Sequence, residues 1–325
     1  MGSNTKLSTN HMELIKYIND NLWKSEFHYL VCRFMYDIWL TKNYRRYTRE
    51  QITRRRFRRA FGKELDLTNP QTLNEKIQWL KLNEYHDYYP ICADKYVMKQ
   101  WVADLLGTDE YNVPVLFHTS DWRDISEKTV TQFPCIVKPN HSSHDFIILR
   151  SAEDVNWQQL RRRCRYWLHR DYFAESQELQ YRDILRQIVV EKLLVAKDGK
   201  IPNDYKLNYM NGRLEFVYVS YDREGLNARC VFDADWKVLP FYWGNSNQKE
   251  YVPCPVEIPE PKSLAKMKEI GEKIAKYFKY VRVDFYDVDG KLYIGEITLH
   301  HGGGCDRFRP DEYDKIYGEK LDLKV

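Results

Sequence analysis

The stretch that most constrains this chain is Val281 to Leu299, VRVDFYDVDGKLYIGEITL, near its C-terminal end. Two runs of alternating residues flank Val288-Asp289-Gly290, the pattern of an antiparallel hairpin. A three-residue loop with Gly290 in the left-handed conformation pairs Asp284 with Ile294 and Arg282 with Glu296. Side chains alternate along a strand, so Arg282, Asp284, Glu296 and Thr298 then share one face. Val281, Val283, Phe285, Ile297 and Leu299 fill the other, with Ile294 the one apolar residue on the charged side. A two-residue turn would swing Asp284 away from Glu296. The charged face reads either as a surface ladder of ion pairs or as a site for a hard cation. Mg²⁺ is usually held by one or two carboxylates together with substrate phosphates.

The rest of the chain reads as α+β, helices first and mostly antiparallel strands later. Residues 1–12 are set aside as resembling a cloning remnant. Residues 13–62 have helical periodicity, with Leu14, Ile15, Ile18 and Leu22 and then Phe27, Leu30, Val31 and Phe34 at helical spacing. Thr72 with Glu75 three residues on predicts a capped helix start, and a further helix runs from Ala93 to Leu106. Strands are expected at Cys135–Val137 and Phe146–Leu149, around the polar loop Asn140–His144. Trp157 to Leu185 reads as one long helical stretch. Strands follow at Val189–Leu194, Tyr205–Met210, Leu214–Ser220 and Ala228–Phe232, then a helix over Ser263–Phe278 and the hairpin. The expected division is 1–62, a basic helical extension; 63–132, a helical region; and 133–325, the main α+β fold with a hinge near 189–194.

Charge excludes some functions. Lys+Arg 51 against Asp+Glu 47 leaves only +4, too balanced for a dedicated nucleic-acid binder. The positive charge is concentrated from Lys42 to Arg59, with Glu50 the only acid. That block is either a solvated helix face or a contact for an anionic membrane or polymer, with Arg54, Arg55, Arg56, Arg58 and Arg59 at its centre. No stretch reads as a signal peptide, and Tyr29–Leu40 is too short and too charged to span a bilayer. The seven cysteines form no C-x-x-C pair and are odd in number, which points to reduced thiols rather than a disulfide framework. A cytosolic protein is the expectation.

Three lysines and two histidine pairs have the chemistry of a site. Lys138 ends a strand beside the small polar residues of Asn140–His144, where backbone N–H groups can help it hold a phosphate. Lys206 lies in a strand close to Asp204, and Lys95 lies in ADKYVMK. No cysteine stands at ligand spacing from His141/His144 or His300/His301, so zinc is not expected. His300-His301-Gly302-Gly303-Gly304 follows directly on the charged strand. It is either a structural turn or one that brings backbone close to a substrate.

Taken in order, GKELDLTNPQTLNEKIQWLKL, ADKY, FPCIVKPNHSS, VVEKLL, NDYKLNYMNG and VRVDFYDVDGKLYIGEITLHHGGG resemble the ATP-grasp superfamily. The first and last blocks resemble its TupA-like branch, named for teichuronopeptide synthesis. The resemblance runs from about Phe61 to Gly318. It implies an ATP-grasp fold, two α+β lobes clasping ATP, preceded here by the N-terminal helical segment. It also implies Lys95, Lys138 and Lys206 as phosphate-side lysines, Glu191 and the backbone at Lys192 and Leu194 as the adenine hinge, and Asp198 as the ribose contact. Asp284, Glu296 and Thr298 become the Mg²⁺ ligands, with Thr298 where the superfamily commonly has Asn. Arg282 becomes the arginine that steadies the acyl phosphate, and His300 or His301 a proton-transfer group. The loop over the phosphates, usually Gly-rich, is His141-Ser142-Ser143-His144 here.

The implied reaction is carboxylate–amine ligation with release of ADP. The branch implies a bacterial surface polysaccharide such as a capsule. A uronic-acid carboxylate would be the acceptor, and an amino acid or other amine the nucleophile. The alternative is an ATP-dependent saccharide kinase, which would leave phosphate on its product. Nothing in the chain resembles a sugar-nucleotide site, and no nucleic-acid partner is implied. A peripheral position at the inner face of the membrane is the expected consequence of the Arg-rich segment.

Overall fold

The structure is a computed structural model that describes residues 17–18, 20–225, 228–244, 254 and 257–324. Residues 1–12, and Leu14 and Ile15 of the first expected helix, lie outside these. Chain contacts gather into two units. One holds Met1–Thr48, Pro114–Glu175 and Leu185–Leu193; the other holds Arg49–Val113, Ser176–Ile184 and Leu194–Val325.

The first unit is built on four strands, β1 (Val115–Thr119), β2 (Cys135–Pro139), β3 (Ile147–Leu149) and β4 (Ile188–Lys192). They run in the order β1-β4-β2-β3, each antiparallel to its neighbour. The helices Glu26–Leu40 and Trp157–His169 cover the sheet. Tyr29, Cys32, Tyr36 and Leu40 from one and Leu160, Cys164 and Trp167 from the other share its core with Cys135, Val137, Ile188 and Val190. The apolar repeat Phe27, Leu30 and Phe34, which marks the first of these helices in the sequence, is not the face that is buried.

The long helix expected over Trp157–Leu185 is broken. It stops at His169, resumes as Tyr172–Ser176 and ends in a 3₁₀ turn at Leu179–Tyr181. Arg170 is extended, with φ −62° and ψ 133°, and Asp171 starts the next turn by accepting from Ala174 N at 3.0 Å. A short polar side chain that takes up a backbone N–H competes with helix continuation at that point.

The second unit holds β5 (Asp204–Met210), β6 (Arg213–Tyr221), β7 (Ala228–Phe232), β8 (Tyr242–Gly244), β9 (Tyr280–Val288), β10 (Lys291–Thr298) and β11 (Arg307–Arg309). Five of these form an antiparallel sheet in the order β10-β9-β5-β6-β7, and β8 pairs with β11. The helix Leu264–Ala275 packs on one face of the sheet, over Leu207, Val217, Val281, Val283 and Phe285. The helix Leu73–Asn83 starts as its sequence predicts: Thr72 Oγ1 accepts from Glu75 N, and Thr72 N donates back to Glu75 Oε2 at 3.0 Å. In the Arg-rich helix Arg49–Phe61, Ile52 and Phe57 are buried, Arg54 donates to Leu65 O at 2.6 Å, and Arg56 donates to Ser176 O at 3.1 Å. Part of that positive charge is therefore spent inside the fold, while Arg55, Arg58 and Arg59 are exposed.

The hairpin differs from its expected register in two ways that cancel. Asp289 and Gly290 both have positive φ, 54° and 90°, and Val288 pairs directly with Lys291. The loop thus has two residues, the arrangement in which both take left-handed conformations. That turn alone would have separated the carboxylates. A bulge at Gly295 adds one residue to β10, so Ile294 faces Phe285 while Glu296 faces Asp284 and Thr298 faces Arg282. The bulge also moves Ile294 off the charged face and into the core beside Phe285. Glycine is required there because a Cβ would stand 2.5 Å from Cε2 of Tyr286.

Cysteine usage also departs from the expected all-reduced set. Cys230 and Cys254 form a disulfide, with Cα atoms 5.0 Å apart. Their separation of 24 residues carries no sequence signature. Cys32, Cys92, Cys135, Cys164 and Cys305 are free. Among the described residues, no helix is long and apolar enough to cross a membrane.

Candidate active site

The charged face of the five-stranded sheet is continuous across β10, β9 and β5. Lys206 pairs with Asp284 across the ladder, and Asn208 with Arg282. Asp204, Lys206, Arg282, Asp284, Glu296 and Thr298 therefore stand on one face, opposite the apolar core. The guanidinium of Arg282 grips Asp284 as a fork, Nε to Oδ1 at 2.6 Å and Nη2 to Oδ2 at 2.7 Å. Lys206 Nζ donates to Asp284 Oδ2 at 2.8 Å and also to Asp204. Burial would raise the Asp284 carboxyl, but Arg282 and Lys206 outweigh it and hold the group down at about 2. Burial raises Asp204, and the nearby Asp284 adds to this against the pull of Lys206.

His301 extends the chain of pairs. Arg282 Nη1 donates to its Nδ1 at 2.7 Å, and its Nε2 lies 3.2 Å from Asp306 Oδ2. That makes it the neutral, Nε2-protonated tautomer. Burial pushes its pKa down, in keeping with this form. The ring also lies against Trp243, centroids 3.9 Å apart. His300 is buried on a different set of partners, its Nδ1 3.2 Å from Glu178 Oε2 and 3.1 Å from Gln180 Nε2. The turn after them carries Gly302, Gly303 and Gly304 at φ 56°, 60° and 69°. Gln78 Nε2 holds it by donating to Gly303 O at 2.8 Å and Gly304 O at 2.7 Å.

The donor set fits a magnesium ion. Asp284 and Glu296 are directly opposed. The buried oxygens Thr298 Oγ1 and Asp204 Oδ1 on the same face have no hydrogen-bond partner among the described residues. Among the described residues no cluster of three or more His, Cys, Asp or Glu side chains could hold a metal by itself. Two opposed carboxylates with bare oxygens beside them supply part of the oxygen set that Mg²⁺ takes, the remainder commonly coming from substrate phosphates and water.

In the first unit Lys138 and Glu191 are brought together. Their strands pair Lys138 with Val189 and Ile136 with Glu191, which puts both side chains on one face. Lys138 Nζ lies 2.6 Å from Glu191 Oε2, and Glu191 is buried. Lys192 N donates to Pro114 O at 3.0 Å, and the chain passes from one unit to the other between Leu193 and Leu194. Asp198 is exposed in a turn and accepts from Lys200 N at 3.0 Å. Lys95 lies in the turn after Asp94, whose Oδ1 accepts from Tyr96 N and Val97 N.

The loop after Lys138 has no glycine, yet His144 takes φ 66°. Histidine is among the residues that tolerate this region better than most. Asn140 anchors the loop to Leu185 and Gln187. Ser142 Oγ donates to Asp145 Oδ2 at 2.8 Å, Asp145 accepts from Arg170 at 2.5 Å, and Arg170 Nη2 donates to Glu175 Oε2 at 2.6 Å. Tyr36 OH closes the series on Glu175 Oε1 at 2.7 Å. Beside this network is a cavity of about 310 Å³ bounded by Tyr36, Trp39, Asp145, Arg163, Arg170 and Glu175, among others. Sequence reasoning missed Asp145, Arg170, Glu175 and Asp306. Only the alternation of Asp204, Lys206 and Asn208 carried a signal for the further members of the charged face.

The family described as TupA-like ATPgrasp matches residues 75–322. No curated protein gives a significant match. Among solved structures, D-alanine–D-alanine ligase from Bacillus anthracis complexed with ATP is 14% identical with a TM-score of 0.38, over 64% of this chain and 54% of that one. The ligase of that name from Helicobacter pylori is 14% identical with a TM-score of 0.38, over 71% and 62%. ATP-grasp ligase PsnB, complexed with minimal precursor, Mg and ADP, is 12% identical with a TM-score of 0.38, over 70% and 58%. The chain spans less than two thirds of the length of each.

Proposed function

The chain belongs to the TupA-like ATP-grasp family, and on that premise we propose that it is an ADP-forming carboxylate–amine ligase using ATP and Mg²⁺. The observation that carries the reading is the direct opposition of Asp284 and Glu296 beside Arg282 and Lys206. Asp284, Glu296 and Thr298 would hold magnesium, which when bound offsets charge on the nucleotide phosphates. Lys95, Lys138 and Lys206 are assigned to the phosphates, Glu191 with the backbone at Lys192 and Leu194 to adenine, and Asp198 to ribose.

The γ-phosphoryl group of ATP passes to a carboxylate oxygen of the acceptor, its bond to the β-phosphate oxygen breaks, and ADP leaves. The amine then attacks the acyl carbon, phosphate leaves with the C–O bond, and the nitrogen loses a proton. Arg282 offers a rigid fork to the phosphoryl and carboxylate oxygens, and such fixed donors are worth most where charge develops. His301, with Arg282 on one nitrogen and Asp306 near the other, orients that fork. Proton transfer is assigned to His300, held by Glu178 and Gln180.

The acceptor is assigned as a uronic-acid carboxylate of a bacterial surface polysaccharide, and the nucleophile as an amino acid or other amine. The cavity of about 310 Å³ in the first unit supports a saccharide, with aromatic walls and arginine–carboxylate pairs that can meet hydroxyl groups. Exposed Arg55, Arg58 and Arg59 favour an acidic polymer or surface as a partner.

The test is incubation with ATP, Mg²⁺, candidate uronic acids and amines, read by mass spectrometry. ADP with an amide is expected, and a phosphorylated sugar would replace the ligase by a kinase. Asp284→Asn and Glu296→Gln should each abolish ADP formation with the circular dichroism unchanged. Near-normal turnover in both would remove the metal assignment.

A further inference from the structure

We infer that the outer face of the helix Glu26–Leu40 docks on an anionic lipid bilayer. The inference is independent of the ligase reading. Phe27 is 71% exposed, Leu30 49%, Phe34 66% and Ile38 39%. Their spacings of three and four residues place them in one stripe. The opposite stripe, Tyr29, Cys32, Tyr36 and Leu40, is buried. This helix is therefore apolar on two sides and is fixed from behind. Tyr36 OH holds Glu175, and Arg162 Nη1 donates to Trp23 O at 2.6 Å. A surface helix normally turns polar residues outward, and a contiguous exposed apolar stripe marks an interaction site.

Charge selects the partner. No acid lies between Asp37 and Glu50, while Lys42, Arg45 and Arg46 are exposed just beyond the stripe. Arg45 lies 4.0 Å from Asp171. The two acids of the helix both have partners in the same unit: Glu26 pairs with Arg165 at 2.5 Å, and Asp37 with the ring of His169 at 2.9 Å and with Arg33 at 3.9 Å. What faces outward is thus an apolar stripe that runs into a cationic end. Tyr47, 45% exposed, flanks it with the amphipathic ring favoured at the headgroup level. Each signal is weak alone, but apolar insertion and basic attraction together give reversible attachment.

The test is sedimentation of the full chain with vesicles of phosphatidylcholine alone or with a third phosphatidylglycerol, at low and high salt. The expected result is binding to the anionic vesicles at least tenfold tighter than to the neutral ones, weakened by salt. Phe27→Ser/Phe34→Ser and Lys42→Glu/Arg46→Glu should each lower it about tenfold with unchanged melting temperature. No binding by the parent chain overturns the inference, as does binding that survives both double variants. So does a stripe that instead mediates self-association, seen as a dimer in analytical ultracentrifugation that Phe34→Ser abolishes without any vesicle binding.

Discussion

Replacing Arg282 with Met removes the fork that keeps Asp284 ionised in a buried place. In the folded chain Asp284 lies at about 2 against an ordinary 3.8. The difference, about 1.8, corresponds to about 2.5 kcal/mol at ~1.36 kcal/mol per pH unit. Because the folded value is depressed, that stability is fully present above about pH 4. It is lost as the pH falls through about 2. Without the guanidinium, burial becomes the dominant influence and only Lys206 opposes it. The folded value should then rise towards or past 3.8, so the loss of stability between pH 4 and 2 should vanish or reverse. At neutral pH the variant should be destabilised by about 3–5 kcal/mol, the scale of a buried charge left without its partner. The double variant Arg282→Met/Asp284→Leu, which leaves no orphan carboxylate, should recover part of the loss. Urea unfolding at pH 7, 4 and 3 measures the energies, and a carbon NMR titration of the Asp284 carboxyl reads the protonation directly. If Arg282→Met costs less than about 0.5 kcal/mol at pH 7, or if the carboxyl still titrates near 2, the fork is not what holds Asp284 and the reasoning fails.

Two further outcomes are expected. Arg282→Lys should keep ATP affinity by calorimetry and lose turnover about a hundredfold or more, whereas Lys138→Ala should weaken ATP binding itself. Equal loss of affinity in both would make Arg282 a ground-state phosphate ligand. Gly304→Ala should lower stability by about 1–3 kcal/mol in thermal unfolding, since φ is 69° and the new Cβ would stand 2.8 Å from Gln78 Nε2. Gly303→Ala, whose nearest neighbour would be Glu178 Oε1 at 3.9 Å, should cost less, and the reverse order would argue against Gln78 as the clamp of the turn.

Periodicity and capping made most of the elements readable. The capping box at Thr72 and Glu75, β7, β10 and the Leu264–Ala275 helix need only local residues to specify them. What stayed hidden depends on residues far apart in the chain. The helix stops beside Arg170, which pairs with Asp145 and Glu175, and Asp145 gives no local sign that it belongs to that network. Lys81 looks like an ordinary solvated lysine of an amphipathic helix. It is buried on Gly303 O at 3.1 Å, and burial pushes its pKa down to about 8. Cys230 and Cys254 meet only because the fold brings their backbones together.

The hairpin shows why a right conclusion can rest on a wrong register. Alternation identifies which residues share a face only if no residue is inserted, and the turn here is one residue shorter than the pattern suggested. The bulge at Gly295 restores the parity, and it could have been inferred from two oddities read together. Ile294 was the one apolar residue stranded on a charged face, and a glycine stood immediately after it in a strand. Glycine within a strand commonly marks a bulge or a close approach of another group. Here it marks both, since the ring of Tyr286 occupies the space that a Cβ would need. The two carboxylates face each other because of that single inserted residue. The acidic face of this sheet is therefore set by backbone irregularity as much as by the charged residues themselves.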